Sequence, residues 1–130
     1  LAVVSTLRTV IIAIREWEAG ESVGYARRGI VSRKSRIATI PIGYADGMNR
    51  RFGNGRSRVF INGHYAPTIG NICMDVCMID VTDIECKEGD KVIIFGDDLP
   101  VTVLADVLHT IPYEILTSVS NRVKRVYYQG

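Results

Sequence analysis

The residues with the clearest potential for chemistry lie where a predicted strand runs into the turn GYADG, which is followed by two arginines. Tyr44 supplies a phenol, Asp46 a carboxylate, and Arg50 and Arg51 supply guanidinium groups. Two glycines and an aspartate adopt unusual backbone angles at low cost, so the chain is expected to turn sharply here. The pattern indicates one edge of a polar site. A well-made surface turn explains it equally simply, and the residues alone favour that interpretation.

Two tyrosines, Tyr25 and Tyr44, are candidates for acid–base chemistry. The unperturbed pKa of a tyrosine is about 10, so nearby cations would have to stabilise the phenolate before it could act as a base near neutral pH. Considered alone, an aromatic residue in a short strand is more often a packing residue.

The cysteines predict neither disulfides nor a metal site. There are three of them, an odd number without a CxxC pair, which indicates a reducing compartment. Cys73 and Cys77 are four residues apart with Asp75 between them, but no third or fourth ligand lies nearby in the sequence. Buried structural thiols are therefore the expected role of this pair.

The charge pattern allows one alternative function. Sixteen basic and fourteen acidic residues give a net charge of +2, which provides no global field for nucleic acid or an anionic membrane. Basic clusters do lie at residues 27–36 and 50–58 with aromatic residues nearby, a combination that small β-barrels use to bind nucleic acid. The longest apolar run, residues 10–14, is too short to span a bilayer.

The elements that would position these groups are mostly strands. Alternating or β-branched segments separated by Gly, Asn and Asp predict strands at residues 7–18, 22–28, 37–42, 58–61, 64–67, 91–95 and 121–129, and either a strand pair or one long bent strand at residues 69–81. Asn62-Gly63 predicts a tight hairpin turn. A helical period begins at Val101, so a short helical insert is expected over residues 101–117. Together these elements predict a single domain, residues 1–130, that is mainly β and barrel-like, with about seven to nine strands.

Four segments carry a family resemblance: ESVGYARRG, IPIGYADGMNRR, VFINGHYAPTIGNICMDVCMIDV and VTVLADVLHTIPYEILTSVSNRVKRVY. Over residues 7–128 they resemble the C-terminal domain of alanine racemase. The resemblance implies a cytoplasmic enzyme that interconverts L- and D-alanine with pyridoxal 5′-phosphate for peptidoglycan synthesis. It also implies an N-terminal (β/α)₈ barrel that carries the cofactor lysine, and a head-to-tail homodimer in which each C-terminal domain completes the other chain's site. Because the chain begins at Leu1, that barrel is expected to have been removed.

The resemblance also assigns roles to four residues. Tyr25 matches the catalytic base delivered to the partner chain, and Met74 matches the residue whose backbone N–H binds the substrate carboxylate. Tyr44 and Arg50 match residues that line the corridor through which the substrate enters. The resemblance assigns no cofactor-binding residue within this chain, because the cofactor is expected to be held mainly by the barrel, and the domain by itself is expected to be inactive.

The sequence departs from the family pattern at two positions. Asn71 stands where an arginine is expected in the corridor, and Asn121 stands where many members have a tyrosine near the cofactor phosphate. Three alternatives stay open on the sequence: a related cofactor-dependent racemase or decarboxylase, a parent protein fused to a cell-wall ligase, and a small β-barrel binding module.

Overall fold

The structure is a computed structural model, and it describes residues 6–21 and 30–96 together with Leu99, Thr102, Asp106 and Leu108. The described part is mainly β. Its seven strands are β1 (Leu7–Val10), β2 (Ala13–Trp17), β3 (Ser35–Ile40), β4 (Arg58–Ile61), β5 (His64–Ile69), β6 (Cys77–Asp80) and β7 (Lys91–Phe95).

The strands form one antiparallel sheet in the order β1-β7-β4-β5-β6-β3-β2. The two end strands, β1 and β2, are consecutive in the chain and are separated only by Ile11 and Ile12. Ile11 donates its N–H to the carbonyl of Asp90 beside β7, and Ile12 donates to Thr39 of β3, both at 3.0 Å. A two-residue link can join the two end strands of a seven-stranded sheet only if the sheet curls. The architecture is therefore a curled half-barrel.

The core fills the inside of this curl. Burial alternates along β4 and β6, as expected for strands with one face inward, whereas β3 is buried at four of its six positions. The largest wholly buried side chains come from both halves of the sheet, and they include Ile11, Ile40, Ile61, Ile79 and Ile94. Each such side chain contributes about 1.5–3 kcal/mol by leaving water, so burial is the main force that holds the curl closed.

Six of the predicted strand segments lie within the described residues; four of them are confirmed and two are corrected. The strand expected at residues 7–18 is in fact β1 and β2, because the chain crosses between the two ends of the sheet at Ile11 and Ile12. The strand pair or long bent strand expected at residues 69–81 is a loop followed by the short β6, which has the alternation predicted for the C-terminal end of this segment. The hairpin is present, with left-handed φ angles of 48° at Asn62 and 82° at Gly63, and β7 has the predicted bounds.

Other predictions fall outside the described residues. The strands expected at 22–28, with Tyr25, and at 121–129, with Asn121, lie entirely there. In the expected insert at 101–117, only Thr102, Asp106 and Leu108 are described, and all three are helical. Among the described residues, no helix has the length and apolar character needed to cross a membrane.

Candidate functional site

The candidate site lies where three strand ends meet. The last residue of β3, Ile40, pairs with the first residue of β6, Cys77, and the last residue of β5, Ile69, pairs with Met78. The segments that follow β3 and β5 therefore emerge beside each other at this end of the sheet. We call residues 43–47 the GYADG turn and residues 70–76 the CMD loop.

The GYADG turn is a 3₁₀ turn, Tyr44–Asp46, closed by reciprocal hydrogen bonds. The N–H of Gly43 donates to Asp46 Oδ2 and the N–H of Asp46 donates to the carbonyl of Gly43, both at 3.0 Å. Asp46 is 7% exposed, so its carboxylate accepts the Gly43 N–H in a place that is shielded from water. Gly47 ends the turn with φ of 102°, a left-handed angle that favours glycine, as the sequence predicted.

The turn is fastened to the CMD loop through backbone atoms. The N–H of Tyr44 donates to the carbonyl of Cys73 at 2.9 Å, and the N–H of Ala45 donates to the carbonyl of Met74 at 3.0 Å. A Cβ on Gly43 would lie 2.2 Å from the Cys73 oxygen and 2.4 Å from the Met74 oxygen. Glycine is therefore required at position 43 by this close approach. The prediction that both glycines supply unusual angles is wrong here, because φ of −143° is ordinary extended backbone.

The CMD loop presents Met74 to solvent. The N–H of Cys73 donates to the carbonyl of Val76 at 3.0 Å, which tightens the loop around Met74 and Asp75. The side chain of Met74 is 51% exposed. Within the described part of the chain, the backbone N–H of Met74 donates no hydrogen bond. Among the described residues, this N–H is thus a donor without a protein acceptor.

Tyr44 and Arg50 lie against each other in the segment that follows β3. The Arg50 guanidinium carbon is 5.2 Å from the centre of the Tyr44 ring, within the range of a cation–π interaction. Arg50 opens a second 3₁₀ turn, Arg50–Phe52, in which Asn49 Oδ1 accepts from the N–H of Arg51 at 2.8 Å. Phe52 anchors this turn in the core at 2% exposure. The structure therefore brings together the predicted residues Tyr44, Arg50 and Met74.

A further residue, Asn54, belongs to this surface although sequence reasoning did not include it. Its N–H donates to the carbonyl of Gly70 at 2.8 Å, and its Nδ2 donates to Asn71 Oδ1 at 2.9 Å. Asn71, the position where the family pattern has an arginine, thus forms a neutral amide pair. The only sequence signal for Asn54 was the Asn-Gly turn, which is present with φ of 57° at Asn54 and 80° at Gly55.

The described cysteines behave mainly as packing residues. Cys77 is 1% exposed, and burial raises the pKa of its thiol to about 12, so the prediction of a buried structural thiol is confirmed for Cys77. Cys73 is half-buried. In the described ranges, no group of three His, Cys, Asp or Glu side chains is placed to hold a metal ion.

The described members of the first basic cluster contact the protein itself. Arg33 Nη2 lies 2.6 Å from Asp83 Oδ2 in an exposed ion pair, which lowers the pKa of Asp83 through a side-chain hydrogen bond. Arg36 donates to the carbonyls of Ile84 and Cys86 at 3.0 and 2.9 Å. These contacts give no support to a phosphate-binding surface at this cluster.

The comparisons with known proteins agree with the architecture. The family model described as "Alanine racemase, C-terminal domain" matches residues 4–127. The chain belongs to the alanine racemase C-terminal domain family. Alanine racemase 1 of Clostridium acetobutylicum is 46% identical over 132 residues, which cover 98% of this chain and 34% of the relative. The alanine racemase of Clostridium kluyveri is 43% identical over 132 residues, with the same coverage.

Two solved structures show the same fold as this alanine racemase C-terminal domain. The biosynthetic alanine racemase of Pseudomonas aeruginosa superposes with a TM-score of 0.90 at 38% identity, covering 95% of this chain and 35% of that chain. The alanine racemase of Bartonella henselae with covalently bound pyridoxal phosphate also gives 0.90, at 39% identity, covering 95% and 34%. The predicted family and mainly β fold are confirmed, and the chain spans about a third of the length of the relatives it matches.

Proposed function

We propose that this chain, residues 1–130, is one domain of a pyridoxal 5′-phosphate-dependent alanine racemase. The proposal is supported by family membership and by relatives that carry the name alanine racemase, one of them with the cofactor covalently bound. The observation that carries it is the available backbone N–H of Met74, beside Tyr44 and Arg50, at a built edge of the sheet.

The described residues fit the amino-acid end of the site better than the cofactor itself. When bound, pyridoxal 5′-phosphate acts as an electron sink that acidifies the Cα–H of the substrate. The described lysines lie away from the CMD loop: Lys34 is 3.6 Å from Glu16, Lys91 opens β7, and Lys87 lies in the turn before β7. The cofactor lysine is therefore proposed to come from an N-terminal (β/α)₈ barrel.

The backbone N–H of Met74 is proposed to bind the substrate carboxylate. A backbone donor suits this task because it carries no side-chain entropy and its direction is set by the fold. The side chain of Met74 points to solvent at 51% exposure, so the role requires the loop conformation and not the thioether.

Tyr44 and Arg50 are proposed to line the corridor to this carboxylate site. Their stacked arrangement holds a large aromatic ring in place, and a fixed ring can exclude amino acids that are larger than alanine. The Arg50 guanidinium adds a positive charge that attracts a carboxylate. Because the Asn54–Asn71 pair is neutral and Arg50 is the arginine that contacts Tyr44, we expect removal of Arg50 to slow substrate capture.

Tyr25 is proposed as the base for one face of the substrate carbon, on the strength of the family resemblance, because it lies outside the described residues. A racemase must reach Cα from both faces, so two bases are needed. The barrel lysine would serve one face and Tyr25, delivered to a second identical chain in a head-to-tail homodimer, would serve the other. The enzyme is proposed to be cytoplasmic and to supply D-alanine for peptidoglycan, and this chain alone is proposed to be inactive.

The test uses a chimera in which this chain replaces the matching C-terminal third of the Clostridium acetobutylicum racemase. Alanine racemisation is followed in both directions with added cofactor, for the wild-type chimera and for Tyr25→Phe. Because the two enantiomers have equal free energy, kcat/KM must fall by the same factor in both directions. The face-specific readout is therefore exchange of the α-hydrogen with solvent deuterium in each enantiomer.

The expected result for Tyr25→Phe is loss of racemisation while one enantiomer still exchanges its α-hydrogen and cofactor absorbance is unchanged. Tyr65→Phe, at the opposite end of β5, is the matched control and should retain activity. Unchanged racemisation in Tyr25→Phe would contradict the assignment of the base. A wild-type chimera that binds cofactor but does not racemise alanine would contradict the proposed function.

A further inference from the structure

We propose that Asp46 and the Gly43–Tyr44 peptide form a positioning unit that aims and polarises the Met74 N–H. This inference rests on the proposed function, since it concerns the donor that would hold the substrate carboxylate. It adds that Asp46 sets substrate affinity without touching the substrate. The effect passes through the Gly43 N–H, then the Gly43–Tyr44 peptide, and then the Cys73–Met74 peptide.

The first step is the anchor of the turn. Asp46 Oδ2 accepts the N–H of Gly43 at 3.0 Å, while the carbonyl of Gly43 accepts the N–H groups of Asp46 at 3.0 Å and Met48 at 3.1 Å. Asp46 and Met48 are 7% and 2% exposed, so water does not compete with these bonds. The Gly43–Tyr44 peptide is thus fixed through its carbonyl.

The second step passes from this peptide to the CMD loop. The N–H of Tyr44 is on the same planar unit as the carbonyl of Gly43, and it donates to the carbonyl of Cys73 at 2.9 Å. The adjoining Met74 carbonyl accepts the N–H of Ala45 at 3.0 Å. Two consecutive peptides of the CMD loop are therefore attached to the turn.

The third step concerns the direction of the donor. In a trans peptide the N–H points opposite to the carbonyl, so fixing the Cys73 carbonyl toward the turn makes the Met74 N–H point away from it. No cis peptide bond is found among the described residues. A hydrogen bond to a peptide carbonyl also strengthens the N–H of the same peptide as a donor. The unit therefore sets both the direction and the strength of the Met74 N–H.

Asp90 provides a matched control for Asp46. In the turn before β7, Asp90 Oδ2 accepts the N–H of Lys87 at 3.0 Å, and the N–H of Asp90 donates to the carbonyl of Lys87 at 3.2 Å. The bonds within the turn match those at Gly43 and Asp46, although Asp90 Oδ2 also accepts Asn62 Nδ2 at 3.0 Å, and this turn contacts Ile11 and not the CMD loop. Asp90→Ala removes the same kind of bond without changing the direction of the Met74 N–H.

The experiment measures KM and kcat for both enantiomers of alanine in the chimera with Asp46→Ala, Asp46→Asn and Asp90→Ala. The substrate carboxylate keeps its charge through the reaction, so a weaker contact lowers binding of substrate and transition state alike and raises KM. We expect Asp46→Ala to raise KM about tenfold in both directions with kcat within about twofold. Asp46→Asn retains an acceptor oxygen for the Gly43 N–H, so its KM should stay within about twofold of wild type.

A residue whose role is only to stabilise the fold gives a different kinetic result when it is replaced. A variant that only loses folded protein shows a lower apparent kcat at unchanged KM, and this is what we expect of Asp90→Ala. Unchanged KM in Asp46→Ala, in a chimera whose wild type racemises alanine, would overturn this inference and leave the proposed function intact. An inactive wild type would overturn the proposed function and this inference with it.

A second readout does not depend on activity. Peptide-resolved hydrogen exchange should show faster exchange at residues 43–48 and 72–76 in Asp46→Ala, and wild-type protection in Asp46→Asn. The rate at residues 72–76 should not change in Asp90→Ala. Unchanged protection of residues 72–76 in Asp46→Ala would also overturn the inference, because it would show that Asp46 does not hold the CMD loop.

Discussion

Two turns of this domain have the same local hydrogen bonding in different surroundings. Gly43–Asp46 and Lys87–Asp90 each join a backbone N–H to the carboxylate three residues later, and each returns a bond to the first carbonyl. Both also bond to a distant segment: the first to Cys73 and Met74, and the second to Ile11, whose carbonyl accepts the N–H of Gly89 at 2.8 Å. The same hydrogen-bond motif therefore closes two different turns, and each of these turns bonds to a distant segment of the chain.

The two attachments differ in what they hold. Ile11 is 1% exposed, so the Lys87–Asp90 turn supports the core. Met74 is 51% exposed, so the GYADG turn holds the part of the CMD loop that faces solvent. A Cβ on Gly43 would overlap the CMD loop backbone, whereas nothing lies within 4 Å of one on Gly89. Tight backbone packing beneath an exposed loop indicates a functional requirement for its position.

Thiol labelling should show the largest contrast between the two regions. Cys77, directly after the CMD loop, is buried and burial raises the pKa of its thiol to about 12, while Cys86, beside the Lys87–Asp90 turn, is only half-buried. If Cys77 reacts only through global unfolding, its labelling rate should be lower than that of Cys86 by roughly a thousandfold. Peptide-resolved mass spectrometry measures both rates, and equal rates would contradict the burial of Cys77.

The raised pKa also predicts alkaline destabilisation. Since the folded pKa of Cys77 lies above its unfolded value of about 9, the associated stability is complete below pH 9 and is lost as the pH rises toward 12. Comparison of unfolding midpoints for wild type and Cys77→Ala across this range checks the prediction. The two midpoints should converge as the pH rises, and parallel curves would contradict it.

The next largest effect is expected for Gly43→Ala. The added methyl group would be forced against two carbonyl oxygens, and relief requires displacement of the CMD loop. We expect the free energy of unfolding to fall by about 3 kcal/mol, at the upper end for overpacking. Equilibrium denaturation of the chain measures the change. A loss below about 1 kcal/mol would show that the loop yields easily and would remove the contrast with Gly89.

Gly89→Ala should cost less, for a different reason. Its added methyl group meets no atom, but the residue has φ of 92°, which a side chain disfavours. We expect a loss of about 1 kcal/mol, and a smaller loss for Gly89→Asn because asparagine tolerates left-handed backbone better. Denaturation under the conditions used for Gly43→Ala allows direct comparison, and a loss as large as that of Gly43→Ala would make the two turns equivalent.

The smallest effect is expected from the charge of Asp90. A hydrogen bond from the Asn62 side chain, followed by the Lys87 N–H, lowers the pKa of Asp90. Because the folded pKa lies below the unfolded value of about 3.9, this stability is complete above pH 4 and is lost as the pH falls further. The acid unfolding midpoints of wild type and Asp90→Asn should therefore converge below pH 4. Curves that stay parallel there would contradict the contribution of this carboxylate.

Sequence reasoning succeeded where the signal is local. The Asn62-Gly63 hairpin and β7 follow from turn chemistry and from a short apolar run between turns, and both are present as predicted. It failed for residues 7–18, where a continuous apolar pattern conceals the crossing at Ile11 and Ile12 between two ends of the sheet. No residue marks the break, because the apolar run of residues 10–14 continues from the end of β1 through the link into β2.

The candidate site shows the same difference between features that the local sequence signals and contacts that depend on the fold. Residue types and family resemblance selected Tyr44, Arg50 and Met74 before the structure placed them together, while the Asn54–Asn71 pair could not be predicted. Seventeen residues separate that pair, and its contact depends on how the loops after β3 and β5 meet. Tyr25 stays a prediction because it lies outside the described residues.

Gly43 shows the difference between what the sequence determines and what the tertiary structure determines. Turn chemistry, alternation and family pattern are properties of neighbouring residues, so the chain alone determined that a turn follows β3 and that the domain is mainly β. Only the curled sheet decided that Gly43 faces the carbonyls of Cys73 and Met74, thirty residues away. The physical reason is that exclusion of a Cβ by distant backbone depends on tertiary packing, which no local sequence pattern encodes.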